Sequence, residues 1–229
     1  MASSNPGSIA SAGGNSARNE NHPMRRVAVE KAAVVLAGAR SIFLAHGFSA
    51  ATTDMIQQAA GVSKSTVYAH YANKEALFKA VIEAECETFL QRMRRIKLEP
   101  GHLREVLDAL ARAYLTIVLS PEALCLFRVV IAEAPRFPDL ARHFYLIGPQ
   151  TANTIVAAHL EHAAKIGEVD CSSVGHAAAA AIFVNLVRAE PQLQCLTHPD
   201  SRPSAAQHDL WASQAVDTFL RAFGTKKTR

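Results

Sequence analysis

The stretch 51–83, A-T-T-D-M-I-Q-Q-A-A-G-V-S-K-S-T-V-Y-A-H-Y-A-N-K-E-A-L-F-K-A-V-I-E, decides the fold. Thr52 or Thr53 supplies a hydroxyl N-cap, and Asp54 puts an acid in the first turn, where the helix dipole favours it. Ile56, Ala59 and Ala60 fall at the i, i+3, i+4 spacing of one apolar face. Gly61 ends this short helix, because glycine takes a left-handed backbone at low cost. Ser63 caps a second short helix running to about Tyr71. Its Val67 and Tyr71 point inward, and Lys64, Ser65, Thr66, Tyr68 and His70 are left facing out. Asn73 caps a third helix that begins at Lys74. Two short helices joined by a tight glycine turn, the second opening with cationic and hydroxyl side chains, read as a helix-turn-helix. Hydroxyls, an amine and an imidazole can bond base edges or phosphates, and no acidic side chain lies between Val62 and Asn73. On pattern alone, a helical hairpin with a merely solvated polar face stays open.

The same stretch and the residues before it resemble the TetR/AcrR family of bacterial transcriptional regulators. The resemblance rests on Val35, Leu36, Ala39, Ile42, Phe43, Gly47, Phe48, Thr52, Thr53, Ile56, Ala59, Gly61, Val62, Ser63, Thr66, Tyr68, His70, Tyr71, Lys74, Leu77 and Phe78, a long gapless match. It implies that Lys64, Ser65, Thr66, Tyr68 and His70 face DNA and that Thr53 and Lys74 hold phosphates. One departure is Gly38, inside the first helix, which should cost about 1 kcal/mol against Ala. A second, shorter resemblance, to an AefR-like subgroup, covers L-F-R-V-V-I-A-E-A-P-R-F-P-D-L-A-R-H-F-Y.

The chain has 229 residues, 49% of them hydrophobic, enough to bury a core as one or two domains. Alanine is abundant and strand formers rarely alternate, so the expected class is all-α: a three-helix DNA-binding head and a larger α-helical body for ligand binding and dimerisation. The expected division is 1–24 as a disordered tail, 25–80 as the head and 81–225 as the body. The net charge is +4. Residues 1–79 hold eight Lys/Arg and four Asp/Glu, so the surplus lies with the head, where a polyanion would want it. Arg18, His22, Arg25 and Arg26 end the polar tail; they suit a basic arm on DNA or a solvated tail equally.

No apolar run reaches the ~20 residues of a membrane span. Ala177 to Val187 comes closest, and Asn185 and Arg188 interrupt and flank it. No signal peptide is expected. Cys86, Cys125, Cys171 and Cys195 lie far apart without a C-x-x-C, as reduced thiols of a cytoplasmic protein would. There is no G-x-S-x-G, no P-loop and no H-E-x-x-H, so no enzyme, cofactor or metal site is expected. His159-x-x-His162 lacks the further ligands of a closed zinc site and reads better as a surface helix.

In the head, the first helix runs from about Val27 to His46 and stops at Gly47, and the helix from Lys74 to about Lys97 links head to body. Further helices are expected over 103–119, from Pro121 to about Ala134, over 139–165 with a split at Gly148-Pro149, over 172–188, and over 205–223. Glu190 to Pro203 reads as a loop, and the end, Lys226 to Arg229, as solvated. The expected effector lining is Phe89, Met93, Tyr114, Ile117, Phe127 and Phe144, chosen from helix position and aromatic content; it suits a hydrophobic or amphipathic ligand. Arg128, in an otherwise apolar run, is either an anchor for an anionic ligand or a side chain that snorkels or pairs with Glu133. The family resemblance implies a four-helix homodimer interface built from the last two long helices, with Phe183, Val187, Trp211 and Phe219 as its expected residues. Alternatively, those stripes face only their own domain. The leading expectation is a dimeric repressor on a palindromic operator in double-stranded DNA, released by a small molecule. An effector-independent regulator or activator working through a protein partner is the runner-up, and an enzyme or binding module that kept the head as a scaffold comes third.

Overall fold

The computed structural model describes residues 22–97 and 99–228, without the side chains of residues 22–26 and of Phe89. The expected Arg18 arm and the Phe89 side chain therefore lie outside the described residues. Among the described residues ten helices follow one another: α1 (His22–Ala50), α2 (Thr53–Ala60), α3 (Lys64–His70), α4 (Lys74–Arg94), α5 (Leu103–Val118), α6 (Pro121–Glu133), α7 (Pro138–Ile147), α8 (Pro149–Lys165), α9 (His176–Thr197) and α10 (Ala205–Phe223). Among the described residues the only extended pairing is one antiparallel bridge, Val169 to Gly224. The class is all-α, as the alanine-rich, strand-poor sequence implies. Among the described residues no single helix is long and apolar enough to cross a membrane.

The head is built by its caps. Thr52 Oγ1 accepts from Met55 N, Ser63 Oγ from Thr66 N, and Asn73 Oδ1 from Ala76 N. Gly61 closes α2 with φ 63, and Gly47 breaks α1 with φ 77; both need the left-handed backbone that glycine permits. Val35, Ala39, Phe43, Ile56 and Val67 are buried beneath these turns. Ala59, expected on the inner face of α2, is exposed, and Ile56 alone is buried in that helix. Gly38 has a packing reason: a Cβ there would lie 2.8 Å from both the Cβ and the backbone N of Ala60. The residue that weakens α1 as a helix is what lets α2 lie directly on it.

The body packs α5 at its centre, with Leu107, Leu110 and Leu115 fully buried against α9 and α10. Ala179 and Ala180 of α9 and Ala152 and Ala163 of α8 are also fully buried, so those helices approach closely. Arg104 pairs with Asp217, and Arg112 with Asp209, tying α5 to α10.

Four expectations are corrected here. α1 starts at His22 rather than Val27, so Arg25 and Arg26 belong to the helical backbone and not to a tail. α9 does not end at Arg188; it runs through Pro191 to Thr197, replacing much of the expected loop. Pro191, Gln192 and Cys195 are buried, and their packing offsets the missing backbone donor. The chain end is also anchored: Lys227 Nζ donates to the Ile166 carbonyl at 3.2 Å and Thr228 Oγ1 to that of Glu168 at 2.7 Å. Finally, Phe183, Val187 and Phe219 are core residues, with the Phe183 and Phe219 rings edge to face at 5.2 Å. Trp211 is half-buried beside His208. A helical wheel finds apolar positions but cannot say which of two apolar stripes faces inward.

Candidate nucleic-acid interface and effector cavity

α3 turns Val67 into the core and presents an arc of three strips to solvent. Ser65 and Ala69 form its outermost strip and are exposed. Lys64 and Tyr68 flank it on the side of α2, where Tyr68 Oη lies 3.4 Å from Thr53 Oγ1 and Tyr68 is 48% exposed. Thr66 and His70, both half-buried, flank it on the other side, where they share a shallow groove with Val27, Ala28 and Lys31 of α1. Thr53, Lys64, Ser65, Thr66, Tyr68 and His70 therefore converge on one face of the head. Lys31 belongs to the same face and was missed; its place one turn after Val27 on the expected first helix was the available signal.

Two charges are more committed than the sequence implies. Lys64 Nζ pairs with Asp54 Oδ1 at 2.9 Å, and the carboxylate raises the pKa of the ammonium. The acid-free interval from Val62 to Asn73 thus meets an acid brought in by α2. Lys74, expected on a phosphate, donates instead to the carbonyls of Phe48 (2.9 Å), Ser49 (3.3 Å) and Ala51 (3.0 Å) and sits 4.6 Å above the Phe48 ring. An ammonium has three protons, and all three are used in closing the end of α1.

The body holds a narrow apolar cavity of about 70 Å³ and, beside it, an outer cleft of about 360 Å³. The two share Tyr114, Phe127, Phe144, Pro149 and Arg188 as common walls. Of the expected lining, Tyr114, Ile117, Phe127 and Phe144 are present, with the rings of Phe127 and Phe144 edge to face at 6.3 Å. Met93 is fully buried but lies away from the cavity. Arg128 is absent from both chambers. It does not pair with Glu133; it donates to the carbonyls of Cys195 and Leu196, both at 3.2 Å, and so caps the C-terminal turn of α9, at the edge of a separate cleft that it lines with Arg202 and His208. The cation at the cavity is Arg188. Its signal in the sequence was its position, with Asn185, interrupting the longest apolar run. Burial pushes the Cys86 thiol in the inner wall up to about 12, which keeps it protonated. His159 and His162 sit on α8, and among the described residues no three His, Cys, Asp or Glu side chains converge as metal ligands.

The cavity walls continue into the head. α6 supplies Phe127 and ends at Glu133, whose carboxylate accepts from both the backbone N and Oγ of Ser49 at 2.7 Å. Arg136 Nη1 donates to the same hydroxyl at 3.4 Å, and the Phe137 ring meets Phe48 edge to face at 4.7 Å. On the other flank, Arg40 of α1 donates to Glu85 of α4 at 2.6 Å, and His143 of α7 lies 2.9 Å from Glu83 of α4.

A helix-turn-helix head with an open recognition face, carried on an all-α body, defines a DNA-binding transcriptional regulator. Residues 35–81 match the family described as "Bacterial regulatory proteins, tetR family", and residues 105–225 match "AefR-like transcriptional repressor, C-terminal domain". The chain belongs to the TetR family of transcriptional regulators, a non-enzymatic class, with an AefR-like C-terminal domain. A solved structure described as the "Flavonoid-responsive Regulator FrrA" is 33% identical, with a TM-score of 0.75 over 86% of this chain and 99% of that one. A putative TetR-family regulator from Mesorhizobium loti shares the fold, with a TM-score of 0.78 at 24% identity over 86% of this chain and 98% of that one. The HTH-type transcriptional repressor Rv1474c of Mycobacterium tuberculosis is 32% identical over 77 residues, 34% of this chain and 39% of that protein, so the match spans only about two fifths of that relative. The regulator UidR of Escherichia coli is 29% identical over 59% of this chain and 67% of its own length.

Proposed function

We propose that this protein is a homodimeric repressor that holds a palindromic operator through two copies of α3 and releases it when an apolar aromatic effector enters the body. One observation carries the reading: the cavity wall and the clasp on the head are the same piece of chain. Phe127 faces the cavity, and Glu133, at the end of the same helix, holds Ser49 of the head. A ligand wedged between Phe127 and Phe144 displaces α6 against α7, and the corner between them moves the head.

The dimer brings the two α3 helices about 34–36 Å apart, one DNA turn, and a shift of that separation weakens the complex. Coupling of about 1–3 kcal/mol between effector and operator is typical of such linkage. Repression, rather than activation, is supported by the AefR-like repressor match and by the mycobacterial repressor. An aromatic effector is supported by the phenylalanine and tyrosine walls and by the likeness to a flavonoid-responsive protein.

The test begins with genome-wide footprinting to obtain the bound duplex, followed by fluorescence anisotropy of the full chain on it. Flavonoids and smaller aromatic compounds should lower operator affinity about fivefold or more. An operator complex indifferent to every compound that binds the body would leave a DNA-binding protein and remove the effector.

A further inference from the structure

The outer cleft contains a polar set that its apolar walls do not explain. Arg188 Nε is buried and has no acceptor among the described residues. Elsewhere on that guanidinium, Nη2 donates to Asn185 Oδ1 at 3.2 Å. Across the cleft, Asn153 Oδ1 is also buried and has no donor. If the amide were turned over, its NH2 would stand in the same place, so a polar atom is left unmet either way. The Tyr114 hydroxyl lies beside Arg188: burial raises its pKa, and the guanidinium opposes that rise. Among the described residues no Asp or Glu lines either chamber. A guanidinium N–H withdrawn from water without an acceptor is costly. Native proteins satisfy nearly all such groups, so two of them in one cleft mark missing ligand atoms.

We propose that the effector is an aromatic compound bearing an anionic oxygen, which Arg188 Nε binds, and a hydroxyl directed at Asn153. Its ring lies between Phe127 and Phe144, where the inner cavity begins. The assignment rests on the effector-cavity reading above and narrows it to a charge type. The anionic oxygen is a carboxylate or an ionised phenol; the guanidinium bonds either through the same N–H.

Calorimetry on the full chain separates these cases with two matched pairs: para-hydroxycinnamate against its methyl ester, and a monohydroxyflavone against its methyl ether. The anionic member of at least one pair should bind about tenfold more tightly than its blocked partner, the usual size of a charge-assisted hydrogen bond. Preference within the first pair alone identifies a carboxylate, and within the second alone a phenolate. Arg188→Gln should abolish the preference while the blocked partner still binds, and Arg188→Lys should restore part of it. Equal binding within both pairs, or a preference that survives Arg188→Gln, overturns the anchor but leaves the cavity as an effector site. If none of the four compounds binds the wild-type chain, the anchor and the aromatic-effector reading fall together. Circular dichroism of each variant shows whether a lost signal reflects unfolding, and Arg188→Lys carries the test if Arg188→Gln does not fold.

Discussion

Tyr68 combines a half-exposed ring with a hydroxyl near Thr53, and nothing in the core depends on it. It is therefore placed to report on DNA alone. Tyr68→Ala should leave thermal stability within about 0.5 kcal/mol and weaken binding to the specific operator about tenfold or more, with little change on random duplex. Anisotropy on the two duplexes measures that ratio; an unchanged ratio removes Tyr68 from the reading of bases. Lys74 is the opposite case. Its ammonium protons are spent on three carbonyls, so Lys74→Ala should destabilise the head by about 1–3 kcal/mol and leave the salt slope of DNA binding where it was. A slope reduced by about one unit would instead mean that a phosphate displaces one of those carbonyls. The contrast shows what a residue string can carry. Caps act within three residues, so Thr52, Ser63 and Asn73 were legible from their neighbours. The partner of Lys74 lies more than twenty residues away, and its role became visible only when the end of α1 was brought to the start of α4.

At the scale of elements, α1 and α2 touch so closely that a helix-weakening residue becomes a requirement. Propensity alone says Gly38→Ala should stabilise α1 by about 1 kcal/mol. Contact says otherwise, because the new methyl would stand 2.8 Å from the backbone N of Ala60, and backbone cannot swing aside as a flexible side chain can. The contact should win, and Gly38→Ala should lower stability by about 1–3 kcal/mol, as overpacked cores do; urea denaturation gives the sign directly. The join between α6 and the head allows a second element-scale test. Glu133→Gln keeps the shape of the side chain but removes the charge that the Ser49 backbone N and hydroxyl both bond. Effector binding to the body should persist, while its effect on operator affinity shrinks by about fivefold or more. Calorimetry and anisotropy on one preparation measure the two halves separately. Breaks at Gly61, Gly148 and Pro149 were readable because they act on the local backbone. Pro191 was not, since the side chains that hold α9 together around it come from other helices. Arg128 and Arg188 illustrate the same limit: each interrupts an apolar run, and only the packing of α6 on α9 assigns one to a helix end and the other to the cleft.

At the scale of the whole molecule, α9 carries an exposed apolar row on the body. Ile182 (40% exposed), Leu186 (41%) and Leu193 (56%) follow one another along its outer side, and Leu210 (50%) continues the apolar surface on α10. The inward stripe of the same helix, with Phe183 and Val187, is already buried in the protomer, so the two faces have separate tasks. An aligned row of aliphatic side chains is the kind of surface that a second copy covers in a symmetric, isologous contact. In the homodimer proposed above, an acid placed on this row would be buried against its own image and repelled by it. Ile182→Asp with Leu193→Asp should therefore yield monomers by sedimentation equilibrium at micromolar protein, with helix content retained because neither residue supports the core. Phe183→Asp should behave differently, losing fold and assembly together. Operator binding gives the functional counterpart: the double variant should lose affinity for the palindrome far more than for a single half-site, because only the pair of heads spans one turn of DNA. A double variant that stays dimeric would place the contact on another face and would release α9 from setting the distance between the two recognition helices.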